Sequence, residues 1–467
     1  MFKISDKGIV IGFAVIGILT IIGIVSNTLY LVAAGAVFFM LAGMSLAYPV
    51  KLTAMLFGVL IIFTTSFLNT LSIYLGPFSV SVADMLQIWI FFLWLGAVID
   101  GEGKPFSTTT GKIVIGLSVL SLVAFLRGVL AGFELDTSSI LLKTMLGYLF
   151  FFPALWLLKK PENYKILLSS LLIASVIAAV WIILKGYIGG EGVYLRQNSG
   201  LRVSSREVNV VVIGLSLVAM LLWKKYKSLP LLPAILALLI MGAAILLGQS
   251  RALWLAVAVG ALLAFIADMS RVGQGGFKIG RLFSRVLLLL VFVAGSIAFV
   301  AVAGLLSASD IAARGGTADG GLSGDVSLWA RFLSWWEIVR TVSASPIKLM
   351  FGMGFGYEIT YFRPDMLMQV SIPYVDGSFF QLLLNQGLLG SLLLAWLYAR
   401  GIAGSFSYAI TSISRRDIIL SLWLTASLTA LTIAAFSGSL ITNYRFTYIW
   451  AFMFAVLESI RRKKSQL

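Results

Sequence analysis

The chain has 467 residues, of which 60% are hydrophobic and only 12% charged, with no cysteine, no histidine and a net charge of +16. No water-soluble fold buries that much apolar surface, so lipid has to be the solvent for most of the chain. The missing residue types exclude disulfides, thiolate metal sites, the commonest metal ligand and the usual general base, leaving Asp, Glu, Tyr, Lys and Arg for any chemistry.

Apolar runs of about 20 residues, the length that crosses about 30 Å of hydrocarbon as helix, recur from end to end. Helix is the default there because backbone groups in lipid must be satisfied within their own segment. The pattern predicts spans near 8–25, 29–48, 52–73, 82–99, 112–131, 139–158, 164–184, 207–223, 230–248, 251–268, 285–306, 378–399, 417–436 and 442–459. The opening MFKISDKGIVIGFAVIGILTIIGIV reads as a retained first span, its apolar run being too long for a typical signal peptide. The expected fold class is an all-α polytopic membrane protein of about 12–14 transmembrane helices, with a large extracytoplasmic loop between the eleventh and twelfth spans. Residues 1–306 would carry the first eleven spans and an external loop at 185–207. Residues 307–377 would form an extracytoplasmic subdomain, and 378–467 the last spans and a basic tail.

Fourteen spans put both termini on one side, and the ending RRKKSQL marks that side as cytoplasmic. KKPENYK, KKYK, SRVGQGGFKIGRLFSR and SISRRD fall on the same side. The positive charge is therefore a topology signal, and no nucleic-acid partner is expected. On the other side Arg outnumbers Lys by about ten to three. Sorting by charge does not need Arg in particular, whereas the planar guanidinium binds phosphate or carboxylate through two hydrogen bonds. Ordinary pairing with external acids is the alternative.

Two external loops are long, and long loops on a rigid scaffold are where function concentrates. The first, KGYIGGEGVYLRQNSGLRVSSRE, carries Arg196, Arg202 and Arg206. The second begins with a glycine-rich tether, SASDIAARGGTADGGLSGD, and continues into VSLWARFLSWWEIVRTV. There Trp329, Phe332, Leu333 and Trp336 form the apolar stripe of a helix, with Arg331 and Arg340 on other faces. Such a helix suits the membrane interface, and lying on lipid could be its whole role. FGMGFGYEITYF follows, with glycines at 352, 354 and 356 but no strand–turn–helix unit around them. Tight turns where backbone passes close to other elements are the expectation. Tyr357, Tyr361, Phe362 and Tyr374 offer either sugar platforms or loop packing.

Arg251 sits where one span ends and the next begins, in LLGQSRALWLAVAVGALLAF. An arginine so near hydrocarbon is costly unless it snorkels or has a partner. Asp376, in VDGSFFQLLLNQGLLGSLLLAWL, stands directly ahead of about two dozen residues with almost no charge. Asp is a favoured N-cap, and a helix starting near Ser378 would welcome its charge. A capping carboxylate would also be well aimed for chemistry.

GQSRALWLAVAVGALLAF, RFLSWWEIVRTVSASPIKLMFGMGFGYE and DGSFFQLLLNQGLLGSLLLAWL, in that order over roughly 200–460, resemble the three motif regions of the O-antigen ligase and polymerase superfamily. Its members are bacterial membrane proteins of about 12 to 14 spans with a late extracytoplasmic loop, and they transfer glycans from undecaprenyl-diphosphate carriers. The resemblance implies that Arg251, at the SR turn, and Arg331, at the start of the R…W helix, hold the diphosphate. Asp376 stands where the ligases have a histidine that activates the acceptor hydroxyl, a departure that favours the polymerase branch. Arg202, Arg206, Arg340 and Tyr374 are the supporting diphosphate or glycan contacts. No metal or cofactor is expected, because the diphosphate is already a good leaving group. The implied partners are undecaprenyl-diphosphate-linked glycans and membrane lipid, with a chain-length regulator and a flippase of the same pathway. The implied location is the bacterial cytoplasmic membrane. Two rivals stand beside polymerisation: ligation of glycan onto a lipid core, and a lipid-linked sugar flippase or secondary transporter. The nearly charge-free centres of the spans count against transport.

Overall fold

The computed structural model describes residues 49–63, 72–75, 78–101, 107–189, 193–196, 200–203, 207–224, 230–248, 251–272, 326–363, 367–438 and 446–464. The expected spans at 8–25, 29–48 and 285–306, and Arg206, lie outside the described residues. The elements are α1 (Pro49–Phe63), β1 (Ser72–Leu75), β2 (Phe78–Ser81), α2 (Val82–Ile99), α3 (Thr109–Leu130) and α4 (Leu135–Leu146). After a 3₁₀ turn (Gly147–Phe150) come α5 (Phe151–Leu157), α6 (Pro161–Ile188), β3 (Val193–Arg196), β4 (Gly200–Val203), α7 (Val208–Trp223), α8 (Leu231–Leu247) and α9 (Arg251–Val272). The last group is α10 (Val326–Val342), α11 (Pro346–Phe351), β5 (Ile359–Arg363), β6 (Met368–Ile372), α12 (Ser378–Thr411), α13 (Arg415–Ser437) and α14 (Thr447–Lys464).

The chain is mostly helical. Among the described residues, six helical runs are long and apolar enough to cross a membrane: Thr109–Leu130, Leu135–Leu157, Pro161–Ile188, Ala252–Arg271, Ser378–Thr411 and Arg415–Phe436. Val50–Ile62, Ala83–Ile99, Val208–Trp223 and Leu231–Leu247 are apolar but shorter. The run through Leu157 changes to 3₁₀ just before Pro153, whose missing N–H and bulky ring disturb the preceding turn.

Three antiparallel hairpins qualify the all-α expectation: β1–β2, β3–β4 and β5–β6. The span expected at 52–73 is corrected at its far end, since α1 is described as far as Phe63 and Ser72–Leu75 is strand. The β-branched and aromatic residues on either side of Gly76-Pro77 favour a hairpin over a continuing helix.

The relative directions of the helices follow from a few contacts. Trp223 Nε1 donates to Asp268 Oδ2 (2.8 Å), Lys224 pairs with the same carboxylate, and Arg415 donates to the Lys224 carbonyl. Those contacts join the last turns of α7 and α9 to the first turn of α13. Further along, Gly260 of α9 faces Ala426 and Ala430 of α13, with no room for a Cβ between them. Close approach at small residues of this kind is how helices pack when lipid gives them no hydrophobic drive to associate. The two helices are thus antiparallel, and the first turn of α9 lies level with the last turn of α13. Ser378 Oγ donates to the Gly438 carbonyl (3.2 Å), which brings the start of α12 to the same end of the bundle.

Among the described residues the core falls into three clusters, the largest through the body of the bundle, a second among α6, α7, α8 and α9, and a small one at Ile338, Ile359, Val375 and Leu384 beside the start of α12. Trp423, Trp450, Tyr148 and Tyr398 are fully enclosed, and the two tyrosine hydroxyls share a hydrogen bond of 3.0 Å. Helix α14 is buried on every side from Thr447 to Leu457, as expected of a helix that is apolar all round.

Candidate functional site

Helix α10 supplies one wall of the site. Its buried positions are Ala330, Ser334, Ile338 and Val342, at every fourth residue. Of the apolar stripe read from the sequence, the three aromatics are turned away from the protein, as a helix suited to a membrane interface requires: Trp329 is 49% exposed, Phe332 50% and Trp336 69%. The small and branched side chains let α10 lie close against its neighbours, whereas the large aromatics could not fit there. Arg331 and Trp335, one turn apart, stand on the flank between the two faces.

Both of those residues grip Asp376. Arg331 Nε donates to Asp376 Oδ2 at 3.2 Å, and Trp335 Nε1 donates to the Asp376 backbone carbonyl at 2.7 Å. The pair stays open to water, with the Arg331 side chain 30% exposed and that of Asp376 56%. Each partner has capacity left. Among the described residues, Oδ1 of Asp376 and the terminal nitrogens of Arg331 have no other partner.

The N-cap expectation for Asp376 is corrected. The cap is Gly377, at φ 100° and ψ 102°, and no side chain caps α12. A Cβ at Gly377 would sit 3.1 Å from the Phe436 carbonyl and 3.2 Å from Trp335 Nε1, so only glycine fits. The carboxylate turns to Arg331 because a guanidinium offers a charge-assisted bond, which a neutral amide does not.

Gln381, one turn into α12, fixes the segment ahead of the acid. Its Oε1 accepts from Val375 N (2.5 Å) and its Nε2 donates to the Pro373 carbonyl (3.2 Å). Phe380 stacks on Trp335, with ring centroids 4.6 Å apart and planes 7° from parallel. Sequence reasoning missed Trp335, Gly377 and Gln381. Two signals were present: an indole four residues after Arg331, and Gln381, the first of three amides in an uncharged stretch.

The glycine-rich run after α11 forms the tight turns expected of it. Helix α12 breaks at Gly387 (φ 69°, ψ −163°), which leaves carbonyls before the break without their helical donors. Met353 N and Gly354 N take them, donating to the Leu384 carbonyl (2.7 Å) and the Asn385 carbonyl (3.1 Å). On the other side Phe355 N donates to the Ala124 carbonyl (3.0 Å), and Arg127 Nη1 to the Phe351 carbonyl (2.8 Å). A Cβ at Gly352 would meet the Asn385–Gln386 peptide, and one at Gly387 the Met350 carbonyl.

The other expected residues are placed as follows. Arg251 is the first residue of α9, at the end of the bundle shared with the start of α12; its side chain lies outside the described residues. Arg202 is in β4 opposite Tyr194, and its side chain is likewise outside. Arg340 is not brought to the acid. It pairs with Glu337 on its own helix (3.4 Å) and is 74% exposed. Tyr374 is 44% exposed, two residues ahead of Asp376. Lys143 is taken up by Asp84 at 3.1 Å, an instance of ordinary pairing with an acid. No protein-family model matches the chain, and no curated protein matches its sequence.

Proposed function

We propose that the chain polymerises undecaprenyl-diphosphate-linked oligosaccharide repeat units at the outer face of a bacterial cytoplasmic membrane. The observation that carries this reading is the half-used pair of Arg331 and Asp376, which offers a carboxylate oxygen and two guanidinium nitrogens side by side at the mouth of α12. A substrate pair that brings a hydroxyl and a diphosphate to one place would satisfy both.

In this scheme the growing chain on undecaprenyl diphosphate is the donor, and a new lipid-linked repeat unit brings the attacking hydroxyl. The hydroxyl oxygen bonds to the anomeric carbon from the face opposite the diphosphate. The bond from that carbon to the phosphate oxygen breaks, and its electron pair leaves with undecaprenyl diphosphate. Asp376 takes the hydroxyl proton. Arg331 and Arg251 stabilise the charge gathering on the departing diphosphate, and neither a metal nor a cofactor is required. Inversion at the sugar carbon follows from attack on the opposite face.

The test is direct. Purified protein in nanodiscs is given lipid-linked repeat units, and products are followed as longer glycans together with released undecaprenyl diphosphate. Absence of both refutes the proposal. Ligation to a lipid core is the alternative within the same chemistry, and it predicts product only when that acceptor is added. Transport of a lipid-linked sugar draws on the break in α12, since transporters often interrupt helices near their sites. The carbonyls freed by this break are already taken by residues 353 and 354, which gives the break a structural purpose. Transport in liposomes without any glycosidic bond formed would favour that reading.

A further inference from the structure

A second cluster of arginines lies far from the acid. Helices α12 and α14 meet at Gly401 and Gly404, and beside that contact lies an open groove of about 490 Å³, lined by Trp396, Ala399, Arg400, Ala403 and Gly404 of α12 and by Arg461 of α14. Twenty-two residues of α12 separate Ser378 from Arg400, about 33 Å of helix if it ran straight. This is the opposite end of the bundle, where Thr110 near the start of α3 donates to Glu458 (3.0 Å) and Arg416 near the start of α13 lies over the Tyr164 ring (3.8 Å).

The charges in the groove do not balance. Arg461 Nη1 pairs with Glu458 Oε2 at 3.1 Å, and its guanidinium lies 5.9 Å from the centre of the Tyr408 ring. Arg400 shares the field of that same Glu458 carboxylate with Arg461, and its Nε is enclosed without a hydrogen-bond partner among the described residues. Two guanidinium groups against one carboxylate leave one positive charge for something else to meet. A guanidinium at the edge of the hydrocarbon is costly unless an anion meets it, and here that anion would bind its terminal nitrogens, since Nε is enclosed.

The walls say what kind of anion would fit. Ala399 and Ala403, both exposed, form a shallow floor that leaves space for a headgroup, while the space beside Gly404 is already taken by Arg461 and Leu457. Above it on the same face of α12 are Leu392 and Trp396, 62% and 52% exposed. An apolar strip leading into a basic pocket at the end of a span matches a molecule with an acyl chain joined to a phosphate. A soluble anion would make no use of the strip.

We propose that this groove binds the phosphate of an anionic glycerophospholipid between Arg400 and Arg461, with an acyl chain laid along Trp396 and Leu392. The site is independent of the glycan chemistry proposed above and needs only the membrane setting. The test uses the purified full chain and native mass spectrometry, comparing retention of phosphatidylglycerol and phosphatidylcholine. The wild type is expected to favour phosphatidylglycerol about fivefold, the preference that one engaged guanidinium gives. Arg400→Gln removes the unmatched charge, and Ala403→Phe fills the floor without touching any charge. Each is expected to bring the preference close to one, and whichever of the two folds with a wild-type melting midpoint decides the matter. Millimolar inorganic phosphate is expected to leave lipid retention unchanged. Equal retention of the two lipids by the wild type would overturn the proposal, as would a preference that survives in a folded variant. Displacement of the lipid by inorganic phosphate would make this a site for soluble anions and would equally overturn it.

Discussion

Asp376→Asn separates the chemical role of the acid from its structural one. The substitution is nearly isosteric, keeps the backbone carbonyl that Trp335 holds at 2.7 Å and leaves Gly377 untouched. What it removes is a negative charge whose ion pair with Arg331 is largely open to water, at 30% and 56% exposure. Pairs of that kind are worth about 0.5 kcal/mol after screening, and the Asn oxygen can still accept from Nε. The melting midpoint should therefore fall by only about 1 °C. A purely structural acid would accordingly lower activity by no more than about twofold. A residue that takes a proton in the transition state contributes roughly 100- to 10,000-fold. The assay is glycan elongation by the purified variant in nanodiscs, run beside a thermal melt of the same sample. The expected result is a rate at least about 100-fold lower with an unchanged melt. Elongation within about threefold of wild type would refute the assignment of Asp376 as the base.

Other consequences are equally open to measurement. Arg331→Ala and Arg251→Ala should each abolish long-chain polymer in a glycan gel while the protein stays at wild-type abundance in the membrane; wild-type chain lengths would remove the arginines from the mechanism. Trp335→Phe keeps the ring that stacks on Phe380 and loses one donor, so stability should drop by about 1 kcal/mol and elongation by about tenfold. A stability loss with unaltered turnover would show that the indole does not position the acid. Gly387→Ala forces a side chain into a conformation close to glycine-only and onto the Met350 carbonyl, at a cost of at least about 3 kcal/mol. Loss of the monodisperse peak in size-exclusion chromatography is the expected readout, and a normal peak would mean that the break can relax.

Several helix limits were legible where apolar runs end at charged or turn-forming residues, though the span read at 378–399 is only the first part of a helix that runs on to Thr411. The span read at 82–99 is α2 with the same limits, and those at 207–223 and 230–248 differ from α7 and α8 by a residue at one or both ends. Hydropathy finds apolar helices because it sums the preference of each side chain for an apolar setting. It is silent on features made by distant segments meeting. LLLNQGLLGSLLL looks like uninterrupted helix, and the break at Gly387 exists because residues 351–356 arrive to satisfy its carbonyls. The stripe of Trp329, Phe332 and Trp336 was visible from its spacing, but spacing does not say whether a stripe packs inside the protein or stays exposed, as this one does. For the site, Arg331 and Asp376 were readable as unusual charges beside apolar sequence. That one would hold the other, rather than Asp376 capping α12, depended on the left-handed turn at Gly377.

One consequence follows from Arg331 and Trp335 sitting four residues apart on a single rigid rod. The first holds the side chain of Asp376 and the second its main chain, so a shift of α10 away from α12 strains both grips. The long Arg331 side chain can follow a small displacement by changing rotamer, whereas the shorter and stiffer indole cannot, so the main-chain grip sets how far α10 can move while the acid stays seated.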